Sequence, residues 1–257
     1  DMDYNDKVLY IQAAFYGMAG LLPCQLRKKD QNSFDQDSSD YIKKLENLWD
    51  SEISIRLNKQ PLDGNIWQFS KSRPANFPTR RLAAMSHLVT KSLNNGLVAL
   101  FMEVFEKTES YQDRNKNCKV VKKGIESIFL EIFDDYWSFY YIFGGKRLTA
   151  AERLIGKDRV SEILINNVIP ILLLYARNNE NINLEKRLHF IYQMHPKLSS
   201  NYITKFMANR IFGHEKDSTE IVHNARRQQG LHQIFKDFCD SDNFLCFECA
   251  MYLIMRN

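Results

Sequence analysis

Apolar residues recur at three- and four-residue intervals along almost the whole chain, the spacing that lays a single stripe down a helix. Val8, Ile11, Ala14, Phe15, Met18 and Leu22 form the first stripe, which Pro23 stops because proline has no N–H and a fixed φ. Residues 27–40 are polar and read as a loop. Ser39 is placed to cap a second helix that turns Ile42, Leu45, Leu48, Trp49 and Ile53 inward. The same periodicity predicts helices over 79–92, 95–107, 119–133, 149–155, 158–177, 183–194, 199–212 and 218–239, with a short one at 245–254. Breakers and polar clusters separate them: Asn94-Asn95-Gly96, the loop 108–118, Gly144-Gly145, Asn178 to Asn183 and Gly213 to Ser218. Only Ile66 to Phe69 offers a short period-two alternation. The expectation is an all-α fold, a single compact domain over 1–257 of roughly ten helices, with a soft division near 144–148.

Composition narrows this. Ten glycines and six prolines in 257 residues are about half the usual share, which favours long helices and disfavours all-β folds. An apolar content of 44% rules out bulk disorder. The most apolar run, Val160 to Ala176, is interrupted by Ser161, Glu162, Asn166, Asn167 and Pro170, so it reads as a buried helix and no membrane association is expected. The first residues, Asp1 to Asp6, show neither a basic nor an apolar stretch of the secretory kind and suggest a fragment. Five cysteines, an odd number in a chain this long, fit a reducing, cytoplasmic setting.

Charge is uneven. Residues 1–50 carry six Lys/Arg against nine Asp/Glu, whereas residues 51–100 carry seven against two. That basic stretch holds the least ordinary segment, Trp67 to Leu82. Pro74 and Pro78 deny helix to the residues before them and hold Arg73 to Phe77 extended. Pro78 then suits the first turn of a new helix, with Phe77 at the cap position. Arg81 and the free N–H groups of that helix start, with Arg73 and Asn76, are candidates for an anion-binding pocket. The alternative is a rigid corner in which Asn76 caps the turn and the arginines bond carbonyls or acidic partners such as Asp63.

The segment R-P-A-N-F-P-T-x-R-L after W-x-F, Arg73 to Leu82 here, resembles the signature of an uncharacterised bacterial family known only as a domain of unknown function. Ala13 to Leu22, Asp135-Tyr136-Trp137, Ile165 to Pro170, the Gln228-Gln229-Gly230-Leu231 run and the terminal cysteines extend the likeness over about residues 8–252. Arg81 matches the arginine of the signature, and Arg80 stands where an aliphatic residue is expected. The resemblance implies that this chain is the C-terminal portion of a longer protein. The N-terminal region of that protein, rich in His and acidic residues and similar to a nuclease core, is the implied partner. It brings no established activity.

Further candidates are chemical. Cys239, Cys246 and Cys249 have a spacing that can converge on zinc, although a fourth ligand must come from elsewhere, such as His232, His223, His214, Cys24 or Cys118. Three buried thiols on a terminal helix are the simpler reading, and no cofactor is expected. Arg226 and Gln229 share a helix face with His223 and are candidates to extend the Arg73 pocket, or simply form a solvated face. Glu131, Asp134 and Asp135 are candidate metal-binding acids or a helix end. The aromatic cluster Tyr136 to Phe143 reads as core, with base stacking as its alternative. Together these favour a binding module that contacts an anionic partner, nucleic acid included, and is not itself an enzyme. A nucleic-acid-processing hydrolase with catalytic groups mainly outside this chain, and a structural scaffold, are the alternatives.

Overall fold

The structure, a computed structural model, describes residues 2–25, 34–67, 69–70, 72–107, 114–213, 220–239 and 249. Its helices are α1 (Tyr4–Met18), α2 (Gln36–Leu48), α3 (Ser54–Leu57), α4 (Pro78–Ser92), α5 (Leu97–Glu106), α6 (Arg114–Leu130), α7 (Lys157–Ile163), α8 (Ile169–Asn178), α9 (Ile182–Met194), α10 (Tyr202–Phe212) and α11 (Ala225–Phe238). π-helical turns at Trp49–Ile53 and Leu164–Val168 join α2 to α3 and α7 to α8. No strand occurs among the described residues, which hold one isolated antiparallel bridge, Pro196 with Asn224. The fold is all-α, as the periodicity predicts.

Side-chain caps explain five of the helix starts. Asp3, Asp35, Asn181, Asn201 and Asn224 each accept a backbone N–H three residues on, satisfying an otherwise orphaned donor. Asp35, not Ser39, caps α2, so that helix begins inside the expected loop. The helix expected at 149–155 does not form. Its backbone carbonyls are instead turned toward two arginines described below. The helix expected at 245–254 lies outside the described residues.

Two compact units divide the chain: unit 1 holds Asp1–Gln112 and Lys123–Val160, and unit 2 holds Asp113–Lys122 and Ser161–Asn257. Gly144-Gly145 lies within unit 1. In unit 2, α8 packs on α9, α9 on α11 and α10 on α11. Met207, Val222, Leu231 and Cys239 make an apolar cluster there. The continuous helical stretch Lys157–Asn178 has 22 residues and a mean hydropathy of 1.4, long and apolar enough to cross a membrane by length and composition. Leu164, Ile165, Val168, Ile169, Leu172 and Ala176 along it are buried in the protein.

In unit 1, α1 packs against both α2 and α4. Tyr4 at one end of α1 bonds His87 late in α4, and Tyr16 at the other end bonds the Thr79 carbonyl early in α4, so the two helices run antiparallel. Being packed on two sides, α1 buries Val8, Gln12, Ala13, Tyr16 and Gly17, while Met18 of the expected stripe is exposed. The helix ends in a Schellman turn, with Leu21 N–H on the Tyr16 carbonyl, Gly20 N–H on the Gly17 carbonyl and Gly20 at φ 65°.

Gly17 is required by the fold: a Cβ there enters the buried ring of Trp49. Gly17→Ala gains up to about 1 kcal/mol in helix propensity but overpacks a ring that has no room to withdraw, at about 1–3 kcal/mol. The expected net result is a lower urea midpoint, and the loss should shrink in a Trp49→Ala background.

Candidate functional site

The extended run expected over Arg73 to Phe77 holds at Phe77 but not at Pro74–Asn76, which turn because the Arg73 carbonyl takes the Asn76 N–H. Trp67 donates its indole N–H to the Ala19 carbonyl (2.8 Å), anchoring the segment to the end of α1. Pro74–Asn76 forms a short 3-10 turn, closed by Asn76 N–H on the Arg73 carbonyl (2.8 Å). Phe77 is extended and occupies the cap position of α4, which has no side-chain cap, and Pro78 opens the helix.

The two arginines that follow have different surroundings. Arg80 is buried at 2% exposure and donates to the carbonyls of Trp137 (3.1 Å), Glu152 (3.3 Å) and Arg153 (3.1 Å). Its guanidinium also lies 4.9 Å from the centre of the Tyr141 ring. Burial lowers its pKa, while Tyr141 and Glu152 favour the charge. Arg81 donates to the Leu154 carbonyl (3.0 Å) and to the Asn76 side-chain oxygen. Its pKa is lowered by burial and then by the like charges of Arg159 and Arg80, and no carboxylate bonds it among the described residues. Both stay protonated, since arginine starts far above neutral pH. Arg73 is exposed, and its side chain makes no hydrogen bond among the described residues.

The remaining candidates fall elsewhere. Arg226 and Gln229 belong to unit 2, where Arg226 is exposed beside Tyr192 and Gln229 donates to Asn166 (2.8 Å). His232 Nε2 is engaged by Asn201 (3.1 Å) and Thr204 (3.2 Å). Cys239 is buried in the apolar cluster of unit 2, Cys249 is half-buried, and Cys246 and His214 lie outside the described residues. No group of three or more His, Cys, Asp or Glu converges as a metal site among the described residues.

Asp134 does not sit on a helix beside Glu131, since α6 ends at Leu130. It opens a turn in which its Oδ1 accepts the N–H groups of Tyr136 (2.9 Å) and Trp137 (2.7 Å). Oδ2 accepts from Gln12 Nε2 (2.6 Å) and faces His87 Nε2 at 3.0 Å. Tyr41 donates to Gln12 Oε1 (2.6 Å) and Tyr4 Oη meets His87 Nδ1 at 3.1 Å. Burial works to raise the Asp134 pKa, yet the bonds from His87, the Trp137 amide and Gln12 outweigh it and hold the carboxyl below its usual range. In the uncharged form of the imidazole, an ionised Asp134 places the proton on Nε2 and leaves Nδ1 to accept from Tyr4. Burial and the Asp134 charge raise the Tyr4 pKa, so the phenol is intact at rest.

Around this network the aromatic run packs as core. Tyr136 stacks between Tyr41 (4.2 Å) and Tyr140 (4.4 Å), and Trp137 and Phe143 meet edge to face at 4.9 Å. Burial pushes the Tyr136 hydroxyl up to about 12. A cleft of about 380 Å³ opens above, with His87 and Asp134 among its lining residues. His87 is the participant that the sequence reading missed. It stands 47 positions from Asp134 and carries no local motif, so its only signal is a histidine on the inner face of a helix.

The arginine corner and the Asp134 network thus define unit 1 as an all-α unit with a half-buried cationic corner and an enclosed ionic centre. The sequence matches the family described as "Protein of unknown function (DUF2851)" over residues 2–200, and the chain belongs to that family. Neither the curated proteins nor the solved structures contain a significant match to it.

Removing the Asp134 carboxylate strands Gln12, His87 and two amides. Asp134→Ala should cost about 3–5 kcal/mol, read by urea denaturation at neutral pH. Because the folded pKa is depressed, the carboxylate's contribution is complete above the unfolded value of about 3.9 and is lost as pH falls through the lower folded value. The gap between wild type and Asp134→Ala should therefore narrow below about pH 4.

Proposed function

We propose that the protein is a binding module that docks an anionic partner, nucleic acid in the first instance, on the corner formed by Arg73, Asn76 and Arg81. One observation carries this reading. Arg81 is half-buried, its hydrogen bonds go to uncharged oxygens, and the charges acting on it, Arg159 and Arg80, are both positive. A partly desolvated cation among cations is unfavourable until an anion neutralises it. A phosphate supplies that charge in a form the guanidinium fork matches. The uncapped start of α4 adds its N–H groups and the positive end of its dipole to the same corner. In this reading the corner holds the partner and does no chemistry itself.

Arg73 makes no hydrogen bond among the described residues, so it tests the idea without disturbing the fold. Binding of a fluorescent DNA oligonucleotide, followed by anisotropy, should weaken as salt rises. Arg73→Ala should lower affinity and reduce the steepness of the salt dependence by about one phosphate contact. An oligonucleotide that does not bind at low salt, or binds Arg73→Ala with an unchanged salt dependence, would refute the assignment.

A further inference from the structure

Outside the arginine corner, the most developed chemistry in unit 1 is the chain Tyr4–His87–Asp134. Asp134 is fixed by two backbone amides and Gln12, and it orients His87 through Nε2 at 3.0 Å. His87 directs its other nitrogen, Nδ1, at the Tyr4 hydroxyl, 3.1 Å away. Asp134 and His87 are buried at 9% and 6% exposure, whereas Tyr4 is 41% exposed. The order is that of an activated nucleophile: a part-buried hydroxyl on a residue that is itself exposed, a base in hydrogen-bond reach and a buried carboxylate that fixes the base's tautomer. Although burial and the Asp134 charge raise the Tyr4 pKa, a phenol still gives up its proton to such a base more readily than an aliphatic alcohol does.

We propose that Tyr4, His87 and Asp134 form an acyl-transfer site acting on uncharged or cationic carboxylic esters. The charge of the cleft lined by His87, Asp134 and Asn5, the residue next to Tyr4, sets that class. Its lining carries Asp6, Asp37, Asp40 and Asp135 against Lys44 and Arg147, a balance that repels phosphate esters and admits neutral or positive groups. In the first step Tyr4 Oη bonds the ester carbonyl carbon as its proton passes to His87 Nδ1. The carbon–oxygen bond to the leaving alcohol breaks, and that oxygen takes the proton from Nδ1. Water then attacks the tyrosyl ester, delivers its proton through Nδ1 to Oη and releases the carboxylic acid. Asp134 stays ionised throughout.

The site involves none of the corner's residues, so DNA binding and ester chemistry can fail independently. The test uses p-nitrophenyl acetate on the full chain at neutral pH, with p-nitrophenolate release and acetylated peptides measured together. Tyr202 is the internal control, because it is 76% exposed and, among the described residues, stacks only on Phe206. The expected result is acetylation of Tyr4 on the order of 100-fold faster than of Tyr202, or steady p-nitrophenolate release abolished by Tyr4→Phe. His87→Gln should bring Tyr4 down to the Tyr202 rate while leaving Tyr202 unchanged. Tyr4 labelled no faster than Tyr202 in the wild-type chain, with release indifferent to Tyr4→Phe, overturns the proposal whatever the His87 variant does.

Discussion

An ionised carboxylate enclosed in the protein is the constraint on which unit 1 depends. Removing such a charge from water costs several kcal/mol unless every lone pair is bonded, and Asp134 meets that condition with four donors. The donors come from α1, from α4 and from the turn that Asp134 itself opens. Through Gln12 the network also reaches Tyr41 on α2. A helix that slides along its neighbour by one turn would break this set, so the carboxylate fixes register in a way that apolar packing alone does not. The antiparallel pairing of α1 with α4 and the stack of Tyr41, Tyr136 and Tyr140 follow from the same register.

The arginine corner solves the opposite electrostatic problem. Arg80 and Arg81 need acceptors, and a helix interior offers none because its carbonyls are already bonded. The chain therefore gives up helix over 149–155 and turns the carbonyls of Glu152, Arg153 and Leu154 toward the guanidinium groups. The sequence predicts helix over 149–155 nonetheless. Spacing registers where side chains point but carries no record of distant donors that claim the backbone. Arg80, which the sequence reading set below Arg81 because an aliphatic residue was expected there, turns out to be the more deeply built-in of the two.

What could be read from the sequence divides along the same line. The all-α class, the break at Pro74 to Pro78, the cap position of Phe77 and the buried series Ile42, Leu45, Trp49 and Ile53 are local consequences of period and proline, and they were legible. The start of α2 was misplaced because Asp35 and Ser39 are both good caps, and local sequence does not choose between them. The Asp134 network was not legible as a whole. Its members stand at positions 12, 41, 87 and 134, and only the folded chain closes those loops. Asp134 looked like one of three acids at a helix end, and its pairing with His87 separates it from Glu131 and Asp135, which are exposed.

Where the family match falls adds a last step. It covers residues 2–200, which include all of unit 1 but Asp1 and stop short of Arg226, Gln229 and the three terminal cysteines. The features of unit 1 therefore lie in the part of the chain that defines the family, and those of the final fifty residues do not. Within unit 1 the enclosed anion is neutralised by the fold itself, whereas the cation at Arg81 is left with uncharged acceptors and like-charged neighbours. A charge satisfied from within is explained by folding. A charge left uncompensated at a surface corner is better explained by a partner, and this asymmetry makes the corner the stronger candidate for recognition, while the Tyr4 relay is the place to look for chemistry.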